Sequence, residues 1–274
     1  LLGSSMAWAL KSRGLCPQIL AWSRSEPTRK KCAQSEWCGA VFDNIKDAVL
    51  DADLIVLSST PSSIPLVAQE AAKFAKPGAI ATDLGSVKTE IAKKCAEIFK
   101  GSGADFVPSH PMAGSDKSGP ENADKNLFEN ACVFVCAPES SQPAQKIADM
   151  WRALGAHAHF LTPERHDEIA ACISHIPQAA ATSLALFAAS KGADIFKNFA
   201  GNGFKDTTRI AKSSPEMWVD IFAQNSENVA NGLREFIKIA DEFARAVENK
   251  DSEKIRELMS KAKAARLDME KQYE

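Results

Sequence analysis

His110 stands between two prolines in the run Pro108-Ser109-His110-Pro111-Met112-Ala113-Gly114. A residue that precedes proline is held extended. Its imidazole is therefore expected to project from a strand tip into a crevice, where a group that titrates near neutral pH serves chemistry better than packing. Upstream, Asp83-Leu84-Gly85-Ser86-Val87-Lys88 brings more polar groups to what should be the same sheet edge. Ser86 can cap a helix there, and the cap alone would account for it as well as a place in the site does. Ser58-Ser59-Thr60-Pro61 follows a buried-looking strand at the carboxyl edge, where such sheets hold ligands. Ser59, Thr60 and Asp83 are thus candidate cofactor contacts.

The opening Leu1-Leu2-Gly3-Ser4-Ser5, followed by the helical Met6 to Lys11, has the pattern of the back half of GxGxxG. That turn brings a pyrophosphate up to helix amides. On this reading the second glycine would be the residue just before Leu1, and the first strand would lie outside this numbering. About twenty residues beyond Gly3, an NAD site usually places a carboxylate on the ribose 2'-hydroxyl. This chain has Trp22-Ser23-Arg24-Ser25, with Thr28 and Arg29 nearby. A hydroxyl and a guanidinium suit a 2'-phosphate, which Arg grips in a fork geometry. Ser23 and Arg24 therefore favour NADP over NAD, the alternative being a solvated basic turn after a strand.

Positioning these groups requires a sheet. Strand patterns run over 18–22, 54–57, 79–82, 105–107, 131–137 and 157–161, and amphipathic segments over 64–75 and 87–99 are long enough to be crossover helices. That alternation predicts a Rossmann-type, doubly wound, mostly parallel sheet over residues 1–162. From 163 to 274 the strand signals vanish, and helical spacing runs over 164–190, 215–248 and 252–272. An all-α domain is expected there, with Pro177 kinking or breaking its first helix.

Composition restricts the class of protein. Of 274 residues, 45% are hydrophobic and 25% charged, which excludes disorder as the dominant state. The formal charge of −2 argues against nucleic acid or an anionic membrane as the main partner. Seven cysteines without a CxxC pair suggest neither a disulfide framework nor a zinc site, so a reduced, cytoplasmic setting is expected and no metal. The densest apolar stretch, around 179–189, is Ala-rich and falls short of a membrane span.

Taken together, several segments resemble the prephenate/arogenate (cyclohexadienyl) dehydrogenases of tyrosine biosynthesis. They are Asp83-Leu84-Gly85-Ser86-Val87-Lys88 and Ser109-His110-Pro111-Met112-Ala113-Gly114, then His166-Asp167 leading into Ser174-His175-Ile176-Pro177. Phe204-Lys205-Asp206-Thr207-Thr208-Arg209-Ile210-Ala211 follows, then Pro215-Glu216-Met217-Trp218 with Asn225 after it. Together they span nearly the whole chain in the family's order.

The resemblance implies an oxidative decarboxylation. A hydride leaves C4 of a cyclohexadienol for a nicotinamide, the 4-hydroxyl loses its proton, and the ring carboxylate departs as carbon dioxide while the ring becomes aromatic. It implies His110 as the base on the 4-hydroxyl, with Ser86 orienting His110 or the nicotinamide. Arg209 would hold a substrate carboxylate and Lys205, one turn earlier, would add a second cation. His175 and Trp218 would line the pocket, and Asp116 would be a polar gate or hydrogen-bond partner. A homodimer through the helical domain is implied as well. The plainer alternatives are a surface ion pair between Arg209 and Asp206, and a core role for Trp218. Gln178 departs from the pattern, because the family often has a second histidine there. The rivals are a β-hydroxyacid dehydrogenase, which generally relies on a lysine in the helical domain, and a non-catalytic dinucleotide sensor.

Overall fold

The computed structural model describes residues 1–114, 117–192 and 198–270. Strands and helices alternate through the first 160 residues. They are α1 (Leu2–Ser12), β1 (Leu20–Trp22), α2 (Glu26–Ala33), β2 (Ala40–Phe42), α3 (Ile45–Val49), β3 (Leu54–Leu57), α4 (Ile64–Ala72), β4 (Ile80–Asp83), α5 (Thr89–Phe99), β5 (Asp105–Val107), β6 (Ser109–Pro111), β7 (Cys132–Val135), α6 (Gln142–Ala153) and β8 (His157–Phe160). Parallel neighbours need a crossover connection, and each parallel pair has a helix between its strands: α2 for β1–β2, α4 for β3–β4, α5 for β4–β5 and α6 for β7–β8. The strands fall into three hydrogen-bonded sets, β1-β2, β3-β4-β5 and β6-β7-β8, and only β6–β7 is antiparallel.

Register decides where the site lies. Leu57 pairs with Asp83 and Thr82 with Val107, so the chain leaves β3, β4 and β5 at one carboxyl edge. Ser58–Thr60, Leu84–Ser86 and Pro108–His110 emerge there together. Two buried clusters hold this arrangement. One gathers Met6, Phe128, Ile147, Trp151 and Leu154, with Phe128 edge-on to Trp151 at 5.1 Å. The other packs Ile64, Ala68 and Ala71 of α4 against Ile91, Cys95 and Phe99 of α5.

Three expectations are corrected. β2 and β6 were not expected as strands, and in β6 Pro111 cannot donate to a ladder. His110 is therefore a strand residue paired with Phe134, not a residue on a free tip. Nor does Ser86 cap α5. That helix starts at Thr89, and the cap is provided from outside by Asp167.

The helical part comprises α7 (Pro163–Ala170), a five-residue π-turn (Ala171–His175), α8 (Ile176–Ala189), α9 (Asn202–Thr208), a 3-10 turn (Arg209–Lys212), α10 (Pro215–Gln224), α11 (Ser226–Glu248) and α12 (Ser252–Glu270). Pro177 does not break its helix. In a regular helix its ring would collide with the carbonyl four residues back, and the wider π-turn directly before it absorbs the conflict. The expected 215–248 helix divides at Asn225. The run 163–189 is long and apolar enough to pass as a membrane span by length and composition alone, contrary to the sequence expectation. It nevertheless carries the buried His166, Asp167 and His175.

Two compact units result, residues 1–226 and 227–274. The first takes in α7 through α10 along with the strands. α7 packs on α5, and the Ser62 amide beside α4 donates to Asp220 of α10 at 2.9 Å. The seven cysteines are free thiols.

Candidate active site

The sheet edge is organised by a sealed ion pair. Lys88 and Asp83 are bonded to each other with no exposed side-chain surface. Asp83 also accepts from the Gly85 amide at 2.8 Å and the Ser109 amide at 3.3 Å, while the Ser109 hydroxyl donates to the Asp83 carbonyl. Burial pushes the Asp83 carboxyl up, and Lys88 with the two amides offsets only part of this. Asp83 was expected at the cofactor. Buried and fully occupied with protein partners, it instead locks β4 to the strand that carries His110.

His110 heads a buried chain of hydrogen bonds. Its Nδ1 lies 2.8 Å from Nε2 of His166, whose Nδ1 lies 2.8 Å from Oδ1 of Asp167. The same carboxylate accepts the amides of Lys88 at 2.7 Å and Thr89 at 2.9 Å, at the start of α5. Asn225 joins a third histidine, donating to the Asp167 carbonyl at 2.8 Å and lying 3.2 Å from His175 Nδ1. Ser86 was expected to orient His110 or the nicotinamide; the partner of His110 Nδ1 is His166. Phe134 stands edge-on to His166 at 5.3 Å and closes that side.

The electrostatics separate the roles. Burial alone would raise Asp167, yet hydrogen bonds from His166, Thr89 and Lys88 outweigh it and hold the carboxyl below its usual range. All three histidines are pushed toward the neutral form, chiefly by burial. His110 falls well below 6.5, with His166, Lys88 and His175 adding to the effect; His166 is lowered, and His175 falls to about 4. His110 keeps 7% of its surface open, whereas His166 and His175 keep 0% and 1%. Of the three, His110 is the one a small molecule can meet.

Of the helical residues expected at the substrate, Trp218 contacts this cluster. Trp218 of α10 stands edge-on to the His175 ring at 5.9 Å. Gln178 lies one turn beyond His175, is buried, and donates to the Ile210 carbonyl at 3.1 Å, which fastens the Arg209–Lys212 turn to α8. Arg209 and Lys205 are exposed, and among the described residues Arg209 makes no ion pair with Asp206. Asp116 lies outside the described residues.

Comparison with known proteins decides the family. The nucleotide-binding domain model of prephenate dehydrogenase matches residues 6–160 and its dimerization domain model matches 162–261. The cyclohexadienyl dehydrogenase of Zymomonas mobilis is 30% identical over 97% of this chain and 92% of its own length. The prephenate dehydrogenase of Lactococcus lactis is 33% identical over 98% and 75%. The chain belongs to the prephenate dehydrogenase family. Its fold matches the crystal structure of the Aquifex aeolicus prephenate dehydrogenase, in complex with hydroxyphenyl propionate and NAD+, with a TM-score of 0.89 at 28% identity, covering 98% of this chain and 94% of that one.

A prephenate dehydrogenase needs a nicotinamide dinucleotide, and the residues at the carboxyl edge fit one. Gly3 lies within α1, where a Cβ would come within 2.3 Å of the Ser58 hydroxyl; only glycine lets that helix approach β3 so closely. Ser59 Oγ, just beyond β3, is buried with no partner among the described residues, as is Trp218 Nε1. Buried polar atoms are ordinarily bonded, so both are suited to a ligand. Thr60 bonds internally, to Ser63 at 3.0 Å. At the end of β1, Arg29 is committed to Asp43 and to the Ser23 and Arg24 carbonyls, while the guanidinium of the exposed Arg24 makes no hydrogen bond or ion pair among the described residues. The Ser23 hydroxyl accepts the Ser25 amide at 3.3 Å.

Sequence reasoning assigned no roles to His166, Asp167, Asn225 or Lys88, although each stood in a quoted segment. The available signal was an adjacent His-Asp pair on the apolar side of a helix, where unpartnered polar groups are costly.

Proposed function

We propose that this prephenate dehydrogenase family member oxidatively decarboxylates prephenate or arogenate with His110 as general base, and that it prefers NADP. One observation carries this reading: His110 is buried, which biases its imidazole toward the neutral form, is the most open of three linked histidines, and stands at the sheet edge with the unsatisfied Ser59 hydroxyl. A neutral imidazole accepts the proton of the 4-hydroxyl, whereas an imidazolium cannot. The nicotinamide, when bound, supplies the hydride acceptor. Arg209, with Lys205 one turn before it, grips a carboxylate bidentately while leaving it charged. The ring carboxylate must remain ionised, since it leaves as carbon dioxide with its electrons returning to the ring. Trp218 walls the pocket with the buried His175 behind it, Ser86 orients the nicotinamide, and Asp116 is a further polar contact.

Arg24 and Ser23 support the choice of NADP. The β1 end lacks the usual acidic side chain, and Asp43 is already paired with Arg29. The free cysteines suit a reducing, cytoplasmic compartment. A homodimer through the helical part is supported by the description of the matched family model.

Steady-state turnover of prephenate and of arogenate, each with NAD and NADP, followed by the reduced-nicotinamide absorbance, tests the proposal. No reduction with either substrate defeats the function. Arg24→Ala should raise the NADP KM selectively, and equal losses for NAD and NADP would contradict the cofactor preference.

A further inference from the structure

We propose that His166 is a positioning residue that fixes the tautomer of His110, so that the lone pair of the base sits on Nε2 and faces the opening. This rests on His110 being the base and adds which nitrogen acts and what selects it.

The argument follows the donors. The Asp167 carboxylate accepts from two backbone amides, at Lys88 and Thr89, and an amide can only donate. Held ionised, it has no proton to give, so the 2.8 Å contact with His166 is donated by His166 Nδ1–H. A neutral imidazole carries one proton. With it on Nδ1, His166 Nε2 is an acceptor, and the 2.8 Å contact with His110 is donated by His110 Nδ1–H. His110 Nε2 is left with its lone pair. A free histidine side chain favours the opposite tautomer, with the proton on Nε2, in which His110 would offer the substrate a donor instead of a base. The bond made by one ring nitrogen selects the state of the other.

The groups facing His110 are consistent with this chain. His166 and Asp167 come from α7, His175 from the π-turn, and Lys88 and Asp83 from the sealed pair at the end of β4. Among these, His166 is the hydrogen-bond partner of the His110 ring. Asp167 acts through His166. It orients the ring from one side while its amide bonds tie that orientation to the first turn of α5.

Two substitutions separate the two halves of His166. The amide nitrogen of Asn reaches roughly where Nδ1 lies, so His166→Asn can keep the bond to Asp167 but presents nothing to His110. The longer Gln can place its carbonyl near the site of Nε2, so His166→Gln restores an acceptor for His110 Nδ1–H. With intact protein, His166→Asn is expected to lower kcat about ten- to a hundredfold, the scale for losing an orienting partner, with the KM for cofactor within about twofold. His166→Gln should recover most of that loss. Nitrogen NMR of ring-labelled His110 should show the proton on Nδ1 in the parent and Gln forms, and on Nε2 in the Asn form. Equal kcat in the Asn and Gln variants, or a proton still on Nδ1 in the Asn variant, overturns the proposal. An active His110→Asn would defeat the general-base reading itself, and the NMR result would be unaffected by that failure.

Discussion

The His110 imidazole is useful because it is hard to charge. Burial, reinforced by His166, Lys88 and His175, lowers its pKa well below 6.5. Protonation switches the base off, so a lowered pKa moves the acid limb of activity to lower pH. The free-enzyme profile, kcat/KM against pH, should therefore keep its plateau below pH 6.5 before it falls. A limb at or above that value would show that His110 is not the titrating group. His110→Asn should reduce kcat by roughly a hundredfold or more, the usual scale for a general base, with cofactor affinity nearly unchanged as read by fluorescence titration. His110 was legible from its proline neighbours and the strand edge they imply. Its partner was not, because His166 lies 56 residues away, and no local pattern says which distant ring a buried nitrogen will meet. Asp83 was misread for a related reason. A carboxylate at a strand end looks like a ligand contact until Lys88, five residues on, folds back and neutralises it.

Among the elements, α1 depends on the absence of one carbon. A Cβ on Gly3 would lie 2.3 Å from Ser58 Oγ and 2.8 Å from Ser58 Cβ, a contact that a short side chain cannot rotate away from. Gly3→Ala should cost about 1–3 kcal/mol, the range for an overpacked contact. It should also raise the cofactor Kd by pushing α1 off the carboxyl edge. Urea melts and a binding titration on the same sample check both, and unchanged values in both would remove Gly3 from the cofactor cradle. The alternation of strand and crossover helix was readable because β3, β4 and β7 are apolar runs bounded by turns. β6 was not, because Pro111 cannot donate to a ladder and argues against a strand, and β2 was missed although it is no shorter than β1 or β5. The α5 boundary was misplaced because its cap is the tertiary group Asp167, not the sequence-local Ser86.

At the scale of the molecule, the change in texture near residue 162 was visible in sequence, yet compactness divides the chain at 226/227. Helical patterning marks secondary structure, whereas the contacts of α7 with α5 and of Asp220 with Ser62 decide which helices join the sheet. Phe236, Ile239, Phe243 and Val247 form an exposed apolar stripe along one side of α11, at helical spacing. Such a stripe is a liability on a monomer and is suited to a self-complementary dimer seam. Phe236→Glu with Phe243→Glu should shift sedimentation from dimer to monomer at micromolar protein; an unchanged dimer would place the seam elsewhere.

The π-turn at Ala171–His175 has a consequence for chain length. Each residue advances a helix by about 100°, so the bulge sets the heading of His175 and Gln178 apart from that of His166 and Asp167. Removing any one residue from 171 to 174 would swing His175 and Gln178 by about 100° relative to His166 and Asp167. Spacing in this segment is then as strictly constrained as residue type: a shortened variant could retain every side chain named above and still never assemble them.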